Sequence, residues 1–291
     1  MNRKILLVGT VSNVAKTIEK ELKVVLKALS VFNSVEVFLV ESDSTDNTVK
    51  ILDKIKLDNS NFRFITLGKL KDEYPNRIER IAYCRNAYVK YIRENNDIFK
   101  WDYIAIADLD GMNFKLSKKF ISSCFITEFN WDGVMANQRF GYYDIYALRA
   151  KDWVEQDCFY ELEINNKKSK VRSKNPIDLL NAISLFREND KLRKKYIYKK
   201  MKKISINAEW IKVNSAFGGF AIYKSYIFAS CSYVFQNGPV LESEHVGFHD
   251  CAIKKGASFY INPKLINNYF NPYNLNKFKL IRLLRAIKSE L

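Results

Sequence analysis

Two carboxylates follow a short apolar segment near the middle of the chain. The run YIAIA at residues 103–107 leads directly into Asp108-Leu109-Asp110. Because side chains alternate along extended backbone, Asp108 and Asp110 are expected to face the same side. Carboxylate oxygens suit Mg²⁺ and Mn²⁺, and such an ion neutralises charge on a departing diphosphate. We therefore predict a metal and diphosphate site, where Gly111 allows a large ligand to approach the backbone. The alternative is a solvated acidic turn.

A second acidic turn, ESDSTD at residues 41–46, follows the strand predicted at 35–40. Open α/β sheets bind ligands beyond the carboxyl ends of their strands, where a carboxylate can accept hydrogen bonds from a ribose or base. Glu41 and Asp43 are the candidates for that role. The alternative is helix capping, because Ser44, Thr45 or Asp46 can accept hydrogen bonds from the N–H groups of a first helical turn.

Arginines recur in RIERIAYCRN at residues 77–86, at the start of a long predicted helix. Residues three and four apart share a helical face, so Arg77, Arg80 and Arg85 can point toward one cleft. Guanidinium groups match phosphate oxygens well. We predict that these arginines bind phosphate; the alternative is a salt-bridged helix surface that uses Glu73 and Glu79.

Both histidines of the chain lie in ESEHVGFHD at residues 242–250. If this segment is helical, His245 and His249 share a face, which is a spacing typical of zinc ligands, but no third soft ligand lies near. We predict instead that His249 completes the metal site of Asp108 and Asp110, while Glu244 points at the sugar. The alternative is two ordinary, partly buried histidines.

Apolar runs alternate with helical patterns through the first half, which predicts an open α/β sheet. Shorter, aromatic-rich strands such as GVMANQ and YDIYALR follow from about residue 131. The predicted strands are 5–8, 35–40, 62–67 and 103–107, and the predicted helices are 14–29, 47–55 and 78–94.

The positive charge is concentrated in one segment. The 291 residues include 48 Lys or Arg and 32 Asp or Glu, a formal net charge of +16. Residues 166–203 contain fourteen Lys or Arg and three Asp or Glu, so this segment carries +11 of that charge. With 47% apolar residues the chain is expected to fold rather than remain disordered. The local charge does not require a nucleic-acid partner, since lysine runs often form solvated helix faces.

The five cysteines are scattered and include no CxxC pair. We therefore expect a reducing compartment, with cysteines mostly buried and inert. No membrane-spanning helix is predicted, because the apolar run at 5–11 is only about seven residues and the stretch at 218–235 is too short for a span. We expect a cytoplasmic protein, with peripheral attachment to the inner face of the membrane as the alternative.

Taken in order, these segments resemble those of GT-A-fold glycosyltransferases. VESDSTDNT resembles the DDGSTDGT turn of family 2, CRNAYVKYI its ARN helix, IAIADLDG its DxD strand, and ESEHVGFHDCAIKKG its late ED helix; together they extend from residue 40 to residue 256. A closer resemblance, through ESDSTDNT, RIERIAYCRN and DGVMANQRFGYYDIYALRAKDW, is to the fungal capsule-associated α-1,3-mannosyltransferases. Those enzymes carry an N-terminal membrane helix that is not predicted here.

The resemblance implies an α/β GT-A (Rossmann-like) fold: a mixed, mainly parallel sheet flanked by helices, with a basic mid-chain helical insertion and an amphipathic tail. The nucleotide-binding half is placed at 1–115, the acceptor half at 116–270 with the insertion at 166–203, and the tail at 271–291. The predicted nucleotide and diphosphate residues are Thr10, Glu41, Asp43, Arg77, Arg80, Arg85 and Asp108. The predicted sugar or acceptor residues are Gln138, Tyr143, Asp144, Arg149, Gly218 and Gly219, and the predicted catalytic residues are Asp110, Glu244 and His245.

The activity so implied is transfer of a hexose from a nucleotide diphosphate sugar to a glycan or glycolipid hydroxyl in surface polysaccharide or glycoconjugate synthesis. It would use Mn²⁺ or Mg²⁺, and the resemblance favours a GDP-sugar over a UDP-sugar. Glu244-His245 stands where family 2 has Glu-Asp, so the usual base of inverting enzymes is absent or displaced. This departure favours retention.

Two further expectations concern partners. The tail alternates basic and apolar residues at helical spacing, which suits an interfacial helix on anionic lipid or, alternatively, a helix docked on the core or on a second subunit. We expect no nucleic-acid partner, although a basic nucleic-acid-binding protein or metal-dependent nuclease is the alternative to the transferase. The oligomeric state is left open.

Overall fold

The computed structural model of the chain describes residues 2–95, 100–170, 190–234 and 242–269, without the side chains of 166–170. The predicted amphipathic tail at 271–291 lies outside the described residues. Residues 171–189 of the predicted basic insertion lie outside them as well. The boundaries predicted for the two halves and the tail stay predictions.

The N-terminal half alternates strands and helices as predicted. Its elements are β1 (Lys4–Val11), α1 (Ile18–Leu29), β2 (Ser34–Glu41), α2 (Thr48–Asp58), β3 (Phe62–Thr66), α3 (Arg77–Asn95) and β4 (Tyr103–Ala107). Strand β1 continues three residues beyond its predicted end, because Gly9, Thr10 and Val11 pair in register with the end of β2. The longer strand brings Thr10 to the same edge of the sheet as Glu41.

The C-terminal half has shorter elements. They are α4 (Lys118–Ser122), β5 (Gly133–Gln138), α5 (Cys158–Lys170), β6 (Ile211–Val213), β7 (Phe220–Lys224), α6 (Ile227–Ser230), α7 (Glu244–Lys254) and β8 (Phe259–Asn268). GVMANQ is strand β5, as predicted. YDIYALR at 143–149 is irregular rather than a strand, and Arg149 forms an isolated bridge with Ser215.

The strands form an eight-stranded sheet in the order β3-β2-β1-β4-β7-β5-β8-β6. Strands β1 to β4 pair in parallel, β7 is antiparallel to both of its neighbours, and β5 is parallel to β8. The predicted fold class, a mixed and mainly parallel sheet flanked by helices, is confirmed. The carboxyl ends of β1, β2, β4, β5 and β8 therefore lie at one edge of the sheet, beside the amino end of β7.

Both faces of the sheet are covered. Ile5 and Leu7 of β1 pack into a core that includes residues of α1 and α2, whereas Leu6 and Val8 pack into a core that includes residues of α3 and α7. All four side chains are fully buried. A strand that is buried on both faces needs apolar residues at every position, which explains the continuous run ILLV.

The apolar stretch that begins at residue 218 supplies buried strand β7 and the short helix α6. Ile222 is fully buried in the first and Phe228 in the second. Across the described ranges, none of the helices combines the length and apolarity needed to cross a bilayer.

Cys231 and Cys251 are joined by a disulfide bond, with their Cα atoms 5.8 Å apart. The bond connects the segment after α6 to α7. Cys84, Cys124 and Cys158 are free and buried. The expectation that the cysteines are reduced is therefore wrong for the Cys231–Cys251 pair, and the expected compartment stays a prediction.

Alanine substitutions at two glycines, Gly9 and Gly247, are expected to change the free energy of unfolding in opposite directions. A Cβ on Gly9 would lie 2.6 Å from the carbonyl oxygen of Ala107, on the neighbouring strand. Neither backbone can move without breaking the β1–β4 ladder, so we expect Gly9→Ala to lower the free energy of unfolding by about 2–4 kcal/mol. A Cβ on Gly247, inside α7, would meet no atom closer than 3.7 Å. Gly247→Ala should therefore raise the free energy of unfolding by up to about 1 kcal/mol. Chemical denaturation measures both changes, and equal effects would contradict the strand packing.

Candidate active site

A cleft of about 630 Å³ opens at the edge of the sheet where β1, β2 and β4 end. Most of the predicted site residues line it. They are Thr10, Asp43, Arg77, Arg80, Arg85, Asp108, Asp110, Tyr143, Asp144, Glu244 and His245. The remaining predicted residues do not line the cleft. They are Glu41, Gln138, Arg149, Gly218, Gly219 and His249.

Asp108 and Asp110 follow β4 and both line the cleft, as the alternation of side chains predicted. The side chain of Asp108 is 32% exposed. Loss of solvent, reinforced by the nearby carboxylates of Asp110, Asp144 and Glu244, raises the pKa of Asp108 to about 7 in spite of Arg85. The pKa of Asp110 is also raised, chiefly by desolvation. Both carboxyl groups are therefore harder to ionise than an aspartate in water.

Arg85 of α3 is buried at the base of the cleft. Its Nε donates to Oε1 of Glu244 at 3.0 Å, and Nη2 donates to Oδ1 of Asp108 at 3.4 Å. Nη1 donates to the hydroxyl of Tyr88 at 3.2 Å. The guanidinium also lies over two aromatic rings, those of Phe217 and Tyr233. These contacts show that Arg85 holds two carboxylates in place, and the phosphate contact predicted for it stays a prediction.

Asp43 lies in the turn after β2 and lines the cleft. Its backbone has a left-handed φ of 59°, and its Oδ1 accepts the N–H of Lys71 at 2.8 Å. Its Oδ2 lies 3.4 Å from Nε of Arg80. Arg80 also donates to the carbonyl of Tyr74 at 2.6 Å. The turn and α3 are thus connected through this pair, while Arg77 is an exposed arginine on the cleft wall.

Glu41 does not occupy the position predicted for a nucleotide ligand. It is 1% exposed, and its carboxylate accepts the N–H of Ser44 at 3.0 Å and the hydroxyl of Thr66. These bonds use Glu41 to shape the turn that presents Asp43. The capping alternative is correct for Asp46, whose Oδ1 accepts the N–H of Thr48 at the start of α2 at 2.9 Å.

Glu244 and His245 begin α7 and line the cleft. Oε1 of Glu244 lies 3.7 Å from Nε2 of His245. The imidazole of His245 stacks on Phe217, with ring centroids 4.2 Å apart, and both of its buried ring nitrogens have no hydrogen-bond partner in the part of the chain that the structure describes. Burial, with help from Arg85, lowers the pKa of His245 well below 6.5. His245 is therefore a buried imidazole at the edge of the cleft, and its ring nitrogens are not exposed to solvent.

His249 is not a metal ligand in this arrangement. It is fully buried, its Nδ1 lies 2.8 Å from the hydroxyl of Ser215, and its Nε2 lies 2.9 Å from the hydroxyl of Tyr223. Both ring nitrogens are used by these bonds, and burial lowers the pKa of His249 to about 3. The predicted role fails because the helical face shared by His245 and His249 turns into the core one turn beyond the cleft. The alternative of a buried histidine is correct here.

The predicted sugar and acceptor residues separate into two groups. Tyr143 and Asp144 line the cleft. Asp144 accepts the N–H of Gly218 at 2.9 Å, and desolvation raises its pKa. Gly218 has a φ of 72° and no room for a Cβ, which would lie 2.8 Å from the carbonyl oxygen of Ala136. Gly218 and its neighbour Gly219 therefore allow the backbone before β7 to pass close under the cleft.

Arg149 does not face the predicted acceptor side. It is 7% exposed, and Nη2 donates to Asp157 at 3.0 Å and to Glu242 at 2.8 Å. Nη1 donates to the carbonyls of Tyr146 and Leu148. Because its donors are taken up by these groups, Arg149 connects the irregular 143–149 segment to the start of α7 rather than to a ligand.

Glu21 of α1 has no role in the site predicted from the sequence, yet it is fully buried next to that site. Its carboxylate accepts the backbone N–H groups of Gly111 and Asn113, each at 2.6 Å. Desolvation raises the pKa of Glu21 to about 7 in spite of these bonds. A charged residue at a position of α1 that faces the core was the available signal, because such a residue is rarely buried without partners. Glu21 fixes the loop that follows Asp110.

Three buried amide side chains hold the same loop from the other side. Asn113 donates to the carbonyl of Asp108 at 2.5 Å, and Asn267 of β8 donates to Oδ1 of Asn113 at 3.1 Å. Gln138 of β5 donates to Asn267 and to the carbonyl of Gly218, each at 2.9 Å. Gln138, predicted as a substrate ligand, is instead fully buried in this network. The amides join β4, β5, β7 and β8 at the sheet edge.

Asp108 and Asp110 are the residues that could hold a divalent cation. Among the described residues, no group of three or more His, Cys, Asp or Glu side chains is arranged to hold a metal ion. Mg²⁺ and similar ions often bind through one or two carboxylates together with substrate phosphates, so the two aspartates fit an ion that shares its coordination with a diphosphate.

No protein-family model matches the sequence, and no curated protein matches it. Solved structures do match. Mannosyltransferase PcManGT from Pyrobaculum calidifontis, in complex with GDP-Man and Mn²⁺, is 12% identical with a TM-score of 0.46, over 92% of this chain and 57% of that one. S. aureus TarS in complex with UDP-GlcNAc is 14% identical with a TM-score of 0.46, over 99% of this chain and 66% of that one.

Glucosyl-3-phosphoglycerate synthase from Mycobacterium tuberculosis, in complex with UDP, is 11% identical with a TM-score of 0.40, over 92% of this chain and 69% of that one. This chain thus spans less than two thirds of the PcManGT and TarS chains.

The raised pKa of Glu21 predicts a pH-dependent contribution to stability. A carboxyl whose pKa is about 7 in the fold and 4.5 in the unfolded chain binds protons more tightly when folded, so its contribution is present below about pH 4.5 and is lost as the pH rises to about 7. We expect the difference in unfolding free energy between the wild type and Glu21→Gln to fall by on the order of 3 kcal/mol over that window. Denaturation without divalent cations measures it, and a constant difference would contradict the burial of an ionisable Glu21.

Substitutions of His249 and Asp110 are expected to have different effects, the first on stability and the second on Mn²⁺ binding. His249→Ala removes two buried hydrogen bonds and leaves a cavity, so we expect the free energy of unfolding to fall by about 2–4 kcal/mol. Mn²⁺ binding in the presence of a nucleoside diphosphate, measured by calorimetry, should not change. Asp110→Asn should weaken that binding with little effect on stability. Loss of Mn²⁺ binding in a folded His249→Ala protein would restore the metal-ligand role.

Proposed function

We propose that this chain is a metal-dependent, retaining glycosyltransferase that moves a hexose from a nucleotide diphosphate sugar to a hydroxyl of a glycan or glycolipid. The observation that carries the proposal is the group of carboxylates in one cleft at the carboxyl edge of a parallel half sheet. Asp108, Asp110, Asp144 and Glu244 converge there, and Arg85 is the buried cation among them.

Charge balance supports a cationic cofactor at this position. Desolvation and like charge raise the pKa of Asp108 to about 7, so ionising Asp108 beside its neighbouring carboxylates is unfavourable without a cation. When bound, a divalent ion would offset this repulsion and stabilise the negative charge that grows on a leaving diphosphate. Asp108 and Asp110 are the proposed ligands of Mn²⁺ or Mg²⁺.

The opposite part of the cleft supports a nucleotide. Thr10 and Asp43 lie at the carboxyl ends of β1 and β2, where the hydroxyl and the carboxylate can bind ribose or base. Arg77 is exposed on the wall beside Asp110, close enough to lower the pKa of that carboxyl. We assign Arg77 to the diphosphate, because Arg80 and Arg85 already bind carboxylates.

The transfer step needs little further chemistry from the protein. The bond between the anomeric carbon and the β-phosphate oxygen breaks, the acceptor oxygen bonds to that carbon on the same face, and the acceptor proton passes to the leaving phosphate. Glu244 is held by Arg85, and we assign it to orient the sugar. His245 lies next to Glu244 at the start of α7 and lines the cleft, so we keep it as a proposed contact of the sugar or the acceptor.

The identity of the donor is a narrower proposal. The sequence resemblance to fungal capsule-associated α-1,3-mannosyltransferases favours a GDP-sugar over a UDP-sugar, and a role in the synthesis of a surface polysaccharide or glycoconjugate. Arg149 and Glu41 are left out of the proposed ligand set, since their polar groups are bound within the protein.

A thermal-shift screen of GDP, UDP, CDP and ADP, each with and without Mn²⁺, tests the proposal. A nucleotide that binds the native state at about 100 times its Kd should raise the Tm by roughly 5 °C. We expect one nucleotide to do so, and more strongly with Mn²⁺. Asp110→Asn should remove the Mn²⁺-dependent part, whereas Asp53→Asn, an exposed carboxyl of α2, should not.

Two results would contradict the assignment. One is the absence of a nucleotide-dependent shift under every condition of the screen. The other is full, Mn²⁺-dependent sugar transfer by Asp110→Asn, since transfer without this carboxylate would remove the proposed metal ligand from the reaction.

A further inference from the structure

The segment at residues 191–203 is strongly cationic. It contains eight Lys or Arg and no Asp or Glu. Most of these side chains are exposed, and we call the segment the cationic rim. Its exposed members are Lys191, Arg193, Lys194, Lys195, Lys199, Lys202 and Lys203.

The cationic rim is a fixed part of the fold. Ile197 and Met201 are buried in the hydrophobic core. The carbonyl of Lys202 accepts the N–H of Tyr142 at 2.8 Å, and the carbonyl of Lys200 accepts the indole N–H of Trp153 at 2.6 Å. The backbone of the rim is therefore anchored, so its charges occupy defined positions.

The rim also forms a wall of the proposed active site. Arg193, Ile197, Tyr198 and Met201 line the same cleft as Asp108. A molecule that approaches Asp108 from this side must pass these side chains. The proposed nucleotide residues come from the ends of β1 and β2 and from α3, and none of them belongs to the rim.

Much of the charge on the rim is not neutralised by the protein. Lys200 pairs with Glu161, and Lys195 and Lys202 lie over aromatic rings. By contrast, Arg193, Lys194, Lys199 and Lys203 have no ion pair within the described residues. Such a cluster attracts anions at a range set by ionic strength.

We propose that the cationic rim is the acceptor subsite, and that it binds an acceptor glycan carrying repeated anionic groups, either phosphate or carboxylate. The inference rests on the proposed transferase function. Anionic groups outside the cleft contact the rim, while the neutral hydroxyl to be glycosylated enters beside the carboxylates, which repel an anion. A flat membrane surface fits less well, because the rim continues into the wall of a concave cleft.

Soluble polyanions test this subsite without knowledge of the natural acceptor. Binding of fluorescently labelled inorganic polyphosphate and of polygalacturonate is measured by anisotropy at several salt concentrations. The rim variant is Arg193→Glu, Lys199→Glu, Lys203→Glu. The control variant is Lys50→Glu, Lys118→Glu, Lys119→Glu, three exposed lysines of α2 and α4 outside the cleft lining, with the same change in net charge.

We expect the wild type to bind at least one polyanion, more weakly as salt rises, and the rim variant to bind it at least about tenfold more weakly than the control variant. Preference for polyphosphate or for polygalacturonate identifies the anionic group. Equal loss in the two variants would assign binding to overall charge and overturn the proposal. Binding to phosphatidylglycerol vesicles but to neither soluble polyanion would overturn it in favour of a membrane surface.

The nucleotide screen separates this inference from the function on which it rests. Rim-dependent polyanion binding without any nucleotide shift would leave an anion site but remove the transferase. A nucleotide shift in the wild type, together with unchanged polyanion binding by the rim variant, would leave the transferase and remove the subsite.

Discussion

The buried guanidinium of Arg85 connects the elements that form the cleft. It projects from α3 and bonds to Asp108 after β4 and to Glu244 at the start of α7. A charge in such a place is stable only while its partners stay within reach, since an uncompensated buried charge costs several kcal/mol. The relative positions of α3, β4 and α7 therefore depend on this residue, and Phe217 and Tyr233 complete its enclosure.

The cleft contains several carboxylates close to this one guanidinium, and Arg85 contacts only Asp108 and Glu244 among them. Glu21 and the amides of Asn113, Gln138 and Asn267 hold the loop around Asp110 through backbone groups, at positions without contact with solvent. A loop held this firmly cannot relax by moving its carboxylates apart. The repulsion persists, and a bound cation would offset it.

Positive charge is arranged around this acidic centre in two places with different consequences. Arg77 lies beside Asp110, where the proposed diphosphate would be bound. The cationic rim lies on another wall of the cleft, beside Tyr143 and Asp144. A net charge of +16 thus describes the chain poorly, because the proposed reaction depends on the position of each charge and not on their sum.

The sequence predicted the strands along the first half of the chain, the carboxylates at their ends and the long arginine helix. It could do so because buried parallel strands require continuous apolar runs and end at a common edge of the sheet. Asp43, Asp108 and Asp110 line the cleft at that edge, and the ligand roles predicted for them stay predictions. The sequence could not predict that His249, Arg149 and Glu41 are bound within the protein. Their hydrogen-bond partners are distant in the chain, such as Tyr223 for His249 and Glu242 for Arg149. The pairing of Cys231 with Cys251 and the burial of Glu21 against Gly111 depend in the same way on packing between elements. Local pattern determined which residues could do chemistry, and tertiary structure decided which of them face the cleft, because burial and hydrogen bonding are settled only when distant segments meet.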